Sequence, residues 1–200
     1  MTWIKTIEYA DSSGRLRQLY DRVKGPDDNV DNIMMAHSLR PHSMEGHMAL
    51  YKNVLHHNGN QTPKWFLEVV GVWVSLLNRC HYCVDHHASG LKRLLADDAR
   101  YEAIVAALGA EDPDRAFEGK QRAMLHYARA LTLQPGELDP AAIDALRAAG
   151  ADDGEILEIN QVSAYFAYAN RTVLGLGIDT AGDVLGLSPG SGDPKDWSHG

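Results

Sequence analysis

Apolar residues recur along this chain mainly at helical spacing, three and four apart. Met44, Met48, Tyr51 and Leu55 predict a helix from about Ser43 to His56. Before it, residues 1–11 read as an extended arm. Ser12 or Ser13 caps a first helix to about Lys24, ended by Gly25-Pro26, and a short helix over Asn32 to Leu39 is interrupted by Pro41. Thr62-Pro63 reads as an N-cap with proline at the first helical position, for a helix to about Leu77. Asn78 predicts a break and a new N-cap, for a helix running to about Leu95. Asp97 or Asp98 caps the next, closed by Gly109, and Asp112-Pro113 opens a long one to about Leu133. Asp139-Pro140 opens a helix ended by Gly150. Asp152 with Glu155 forms a capping pair for the last, from Gly154 to about Leu174. The most β-like run, Val69 to Val74, sits inside a longer helical period. The pattern predicts an all-α, single-domain bundle of about seven or eight helices over residues 1–181. Residues 182–200, rich in Gly, Pro, Ser and Asp, form a tail, loose or packed on a neighbouring subunit.

Composition narrows the function more than the fold. With 44% apolar and 23% charged residues, the 200-residue chain can bury a core without disulfide staples. A net charge of −8 and the lack of any basic run argue against a nucleic-acid surface. The opening MTWIKTIEYADSSG has no apolar run of the kind a secretion signal needs. The most apolar stretch, Trp65 to Leu77, is too short to span a bilayer and carries Glu68. The expectation is a cytoplasmic protein with no membrane contact, where a close cysteine pair is catalytic or metal-binding rather than structural.

The chemistry concentrates between Trp65 and Leu91. Both cysteines of the chain, Cys80 and Cys83, stand here as C-x-x-C. His87 follows four residues after Cys83, and Glu68 is the only charge between Trp65 and Arg79. At about 100° per residue, Cys80, Cys83 and His87 share one helix face, and His86 falls off it. Glu68 would join them only if the chain folds back near Asn78. A cysteine near a helix N-terminus gains from the dipole and free amides, and thiolate is the reactive form. Cysteines at i, i+3 can close and reopen a disulfide. His87 can take or return the thiol proton, and a carboxylate in an apolar run suits a proton shuttle. Tyr82 and His86 stand beside these four as supporting residues.

Other readings compete. Cys80, Cys83, His86 and His87 are all potential zinc ligands, which would make a non-catalytic metal-binding or oligomeric scaffold, but one helix rarely delivers four tetrahedral ligands. Covalent haem attachment would need a histidine where Val84 stands. His37, His42, His47, His56, His57 and His126 follow no ligand spacing and read as solvated surface residues. Tyr165, Phe166 and Tyr168 read as core. A faint internal echo relates Leu67-Glu68-Val69 to Leu157-Glu158-Ile159, with Asn78-Arg79 and Asn170-Arg171 after them. It leaves Glu158 as an alternative working carboxylate.

Glu68, eleven residues, Cys80-x-x-Cys83, three residues and His87 together resemble the active-site pattern of the alkyl hydroperoxidase D-like proteins, within the carboxymuconolactone decarboxylase superfamily. The opening MTWIKTIEYADSSGRLRQLYDRV and the ending ALRAAGADDGEILEINQVSAYFAYANRTVLGLGI are similar to its peroxidase-related subgroup. The resemblance implies an all-helical homo-oligomer, trimeric or hexameric, and a peroxidase that needs no bound cofactor. Its partners would be a hydroperoxide substrate and an external dithiol reductant, such as a lipoyl or thioredoxin-type protein. By position, Cys83 would be the peroxidatic cysteine and Cys80 the resolving one, with Glu68 and His87 as the proton relay. Active members carry a histidine where this chain has Tyr82, and that histidine assists the relay. The same motif would also serve a thiol-disulfide oxidoreductase or redox sensor without peroxide turnover.

Overall fold

The computed structural model describes residues 2–189 and 196–199. Among these it is all-helical: α1 (Gly14–Val23), α2 (Asn32–Met35), α3 (Pro41–Leu55), α4 (Lys64–Leu77), α5 (His81–Leu95), α6 (Asp98–Gly109), α7 (Gly119–Leu133), α8 (Pro140–Ala148) and α9 (Asp153–Leu176). The bundle is built round α4. Ten consecutive residues, Phe66 to Ser75, are buried, so this helix is apolar on every side because protein surrounds every side. It packs mainly on α5, α9 and α7. Trp73, fully buried, donates its indole N–H to the Leu125 carbonyl at 3.0 Å, which satisfies the one polar atom such a ring brings inside. Gly71 lets α9 come close: a Cβ there would lie 2.3 Å from the Phe166 ring.

Aspartates cap three helices as the pattern predicts, while Ser13 precedes α1 without a side-chain cap bond. Asp97 accepts from the Arg100 N–H at 3.0 Å and Asp139 from Ala141 at 3.0 Å. Asp152 and Glu155 close a reciprocal capping box at the start of α9. Other expectations shift. Pro41 does not interrupt a helix but occupies the first position of α3, where its missing N–H costs nothing, and the preceding helix ends early at Met35. The long helix expected from Pro113 is a single 3-10 turn, Pro113–Arg115, before α7. The chain leaves the helical path there to seat Phe117 edge-on against Phe66, with ring centroids 5.8 Å apart, and re-enters at Gly119 with φ +52°. Thr62 does not cap α4 with its hydroxyl. The Gln61 and Thr62 backbone N–H groups instead donate to the Glu158 carboxylate at 2.7 and 2.8 Å.

The turn between α4 and α5 sets up the site. Asn78 is not the N-cap of α5 but the C-cap of α4. Arg79 sits in the left-handed region at φ +58°. The Arg79 N–H donates to Leu76 at 2.9 Å and the Cys80 N–H to Ser75 at 2.8 Å, which is a Schellman closure with arginine where glycine is usual. Cys80 is then the N-cap of α5. The described part of the tail packs on its own chain. The Asp183 side chain is buried, as are Ser188, Trp197 and His199, and Pro189 and His199 form an isolated antiparallel bridge. No helix among the described residues is long and apolar enough to cross a membrane.

Candidate functional site

The fold-back at Arg79 brings Glu68, from the middle of α4, onto the face of α5 that carries Cys83 and His87. The Glu68 Oε2 lies 2.6 Å from His87 Nδ1, and Glu68 is 2% exposed. Phe166 stands edge-on to the His87 ring at 4.6 Å and fixes its plane from the α9 side. Cys83, Glu68 and His87 together line a cavity of about 50 Å³, walled also by Ile33, Met34, Tyr51, Tyr165 and Ala169. Cys80 lies behind Cys83, fully buried and not on the cavity wall.

The two sulfurs are hydrogen-bonded at 3.2 Å and not joined. A disulfide of about 2.05 Å would need them to approach by little more than 1 Å, within reach of side-chain rotation. They share their protons unequally. The hydrogen bond from its partner holds the Cys80 thiol below its ordinary range, helped by the Cys83 backbone N–H and by Asn170. The same hydrogen bond, with burial, pushes Cys83 well above that range. Cys80, at the helix N-terminus, is thus the more acidic of the two thiols and Cys83, at the cavity, the less. Asn170 is buried and braced on both sides: Asn78 donates to its oxygen at 3.0 Å, and its own amide donates to Ser75 at 3.0 Å. The two asparagines of the sequence echo thus meet as one hydrogen-bonded pair. Glu158, by contrast, is bonded to the loop before α4.

Tyr82 and His86 point to a second carboxylate that the sequence pattern does not single out. The Tyr82 hydroxyl donates to Asp183 Oδ2 at 2.6 Å, and His86 Nε2 lies 3.1 Å from the same oxygen. The Asn32 backbone N–H donates to Asp183 at 3.0 Å, and the Ile33 N–H donates to the Tyr82 oxygen at 3.2 Å. Asp183 thereby ties the C-terminal segment, including Leu187 and Ser188, across the mouth of the cavity. Asp31 lines the cavity as well. Burial raises its carboxyl to about 6, and its Oδ1 has no protein partner.

Three histidines expected at the surface are inside: His37, His47 and His56 are 8%, 3% and 5% exposed. They pack on aromatic rings, His47 on Tyr165 and His56 on Tyr51, where a surface residue would have water. His42, His57 and His126 are exposed. Tyr165 and Phe166 are core residues that also face the site, whereas Tyr168 is 41% exposed. The four potential zinc ligands do not converge, since His86 turns to Asp183 and His87 to Glu68. No group of three or more His, Cys, Asp or Glu residues is arranged to hold a metal ion among the described residues.

No family model matches the chain, and no curated protein does. Solved structures do. The alkylhydroperoxidase AhpD core protein from Ralstonia eutropha JMP134, described as an uncharacterized peroxidase-related protein, superimposes with a TM-score of 0.77 at 23% identity, over 90% of this chain and 92% of that one. An uncharacterized peroxidase-related protein from Silicibacter sp. TM1040 gives 0.73 at 24% identity, over 89% and 91%. The debrominase Bmp8, solved in complex with 2,3,4-tribromopyrrole, gives 0.68 at 17% identity, over 90% and 92%. These likenesses show the fold: the chain has the all-helical architecture of the AhpD core, and that architecture also carries a debrominase.

Proposed function

We propose that this chain is a thiol-dependent peroxidase. Because the fold also carries a debrominase, the reading rests on the site. The observation that carries it is the meeting of Cys83, Glu68 and His87 at one small cavity, with Cys80 Sγ 3.2 Å behind Cys83. Such a site holds a nucleophile, a second sulfur to resolve it and a proton relay.

Passing the Cys83 thiol proton to His87, on the same cavity wall, puts the thiolate at the cavity. The Cys83 thiolate attacks the distal oxygen of a hydroperoxide, the O–O bond breaks, and Cys83 becomes a sulfenic acid. The departing alkoxide takes a proton from the His87–Glu68 pair and leaves as alcohol. Cys80 then attacks the sulfenic sulfur, and hydroxide leaves to become water as the Cys80 thiol proton is released. The resulting disulfide is reduced by an external dithiol of lipoyl or thioredoxin type. The sum is hydroperoxide plus dithiol giving alcohol, water and disulfide. No bound cofactor is called for, and a reducing cytoplasm suits the cycle. Self-association as a trimer or hexamer belongs to the same reading, and light scattering would measure it.

The test is peroxide consumption with dihydrolipoamide or a thioredoxin system. Wild-type protein turns over and Cys83→Ser does not; turnover that survives Cys83→Ser overturns the assignment. A second reading, disulfide exchange without peroxide turnover, is favoured by Tyr82, whose hydroxyl is bonded to Asp183 rather than to the relay. It would show as a disulfide that exchanges with dithiols but forms no faster with peroxide than in air.

A further inference from the structure

Two buried histidines on the cavity wall play no part in that relay. His47 is 3% exposed, and its Nδ1 has no protein partner. Its Nε2 lies 3.3 Å from the Tyr165 hydroxyl. Burial raises that phenol well above its ordinary range, so it keeps its proton and donates it to Nε2. The imidazole proton then sits on Nδ1 as a free donor. His199 is 9% exposed, and backbone hydrogen bonds to Val23 and Trp197 hold its ring. Its Nδ1 is also without a protein partner. With the ring N–H engaged by the backbone, that nitrogen offers a lone pair. Burial keeps both rings neutral, lowering His47 to about 3 and His199 to about 4.

Beside the unpaired Asp31 Oδ1, the two rings thus add one unused donor and one unused acceptor to the wall that Cys83 also lines. A buried polar atom left unpaired costs free energy that a ligand recovers by pairing it. A hydroperoxide has the matching pattern, an O–H that donates and oxygens that accept. The rest of the ionisable wall holds Asp31 and Glu68 with His86 and His87, each imidazole already on a carboxylate, and no Lys or Arg lines it among the described residues. An anionic group would enter against the Asp31 and Glu68 carboxylates with no Lys or Arg on the wall to pair with it. Size limits the ligand too: about 50 Å³ holds only a few water-sized groups at roughly 10–15 Å³ each. Hydrogen peroxide fits, a branched alkyl hydroperoxide crowds the space, and an aryl or lipid chain exceeds it.

We propose that His47 and His199 form a hydrogen-bonding subsite that selects small, uncharged hydroperoxides, hydrogen peroxide before all others. This rests on the peroxidase reading and names its substrate class. The experiment measures second-order thiol oxidation with hydrogen peroxide, tert-butyl hydroperoxide, cumene hydroperoxide and linoleic acid hydroperoxide. Wild-type rates fall in that order. His199→Phe slows hydrogen peroxide about tenfold, the scale of one hydrogen bond, and changes cumene hydroperoxide less. His47→Gln, which keeps an amide donor, retains more of the hydrogen peroxide rate than His47→Phe. Circular dichroism checks that each variant folds. As a readout apart from turnover, the Cys80→Ser/Cys83→Ser protein is titrated with hydrogen peroxide while the imidazole nitrogens are followed by NMR. Saturable shifts at His47 and His199 are expected. Equal or faster oxidation by cumene or linoleic acid hydroperoxide overturns the proposal and leaves the peroxidase reading standing. Oxidation by every peroxide no faster than that of free cysteine overturns the reading, and the titration then decides the subsite by itself: unmoved imidazoles overturn it.

Discussion

Tyr82→Phe removes one oxygen atom and two hydrogen bonds. The first is the 2.6 Å bond to Asp183, whose side chain is 2% exposed. A hydrogen bond to a charged acceptor contributes about 1.5–3 kcal/mol. The second is the 3.2 Å bond from the Ile33 N–H, buried at the start of α2. Left unpaired, that amide costs about 1–3 kcal/mol. The two terms do not simply add, because the Asn32 N–H and His86 remain on Asp183. The expected net loss is about 2–4 kcal/mol. At about 2–4 °C per kcal/mol for a domain of this size, the melting temperature falls by about 5–15 °C. Thermal unfolding followed at 222 nm measures it. Hydrogen exchange locates it: amides of residues 179–189 should exchange faster, while those of α4 change little. Both bonds of the Tyr82 hydroxyl lie away from Cys83 and His87, so oxidation by hydrogen peroxide should slow far less than in Glu68→Gln. A melting point within 2 °C of wild type, with unchanged exchange over 179–189, would refute the assignment of Tyr82 as the tie between α5 and the C-terminal segment.

The Glu68–His87 pair can be split two ways. Glu68→Gln keeps the shape but removes the carboxylate, and thiol oxidation by peroxide should slow by about 10²–10⁴ with a modest change in stability. His87→Ala leaves a buried carboxylate without its imidazole and should cost about 3–5 kcal/mol, read by urea unfolding. Asp31 gives a pH signature. Its carboxyl rises from 3.8 to about 6 on folding, so the folded chain binds the extra proton, and that stabilisation is lost as pH rises through about 4 to 6. Asp31→Asn should therefore gain on wild type over that window, by up to about 3 kcal/mol above pH 7; parallel stability curves would refute it. Gly71→Ala places a methyl 2.3 Å from Phe166 and should displace the ring that packs on His87. A loss of about 1–3 kcal/mol, with slower thiol oxidation, is expected from unfolding and rate measurements.

How much of this was legible in the sequence depends on distance along the chain. The helices were, because their signals are local: an apolar residue every third or fourth position, and aspartates at Asp97, Asp139 and Asp152 that still cap. So was the need for a turn near Asn78. Its chemistry was not, since a left-handed Arg79 leaves no mark on the apolar pattern. The failures among the histidines share a cause. Spacing cannot distinguish an imidazole facing water from one packed on Tyr165 or Tyr51, because those rings come from other parts of the bundle.

Asp183 shows the same limit at its sharpest. Tyr82 looks like a loss when judged only by its place between two cysteines, where a histidine would join the relay. Seen with a carboxylate 101 residues away, it is a strut. Its hydroxyl is satisfied by Ile33 and Asp183, both outside the proposed relay of Glu68 and His87. In the proposed cycle the leaving group's proton then comes from the Glu68–His87 pair alone, joined at 2.6 Å. Substituting Tyr82 by histidine would therefore not restore a relay but cut a tie. The shorter ring would give up the Asp183 bond, and the C-terminal segment would loosen before any proton path was gained.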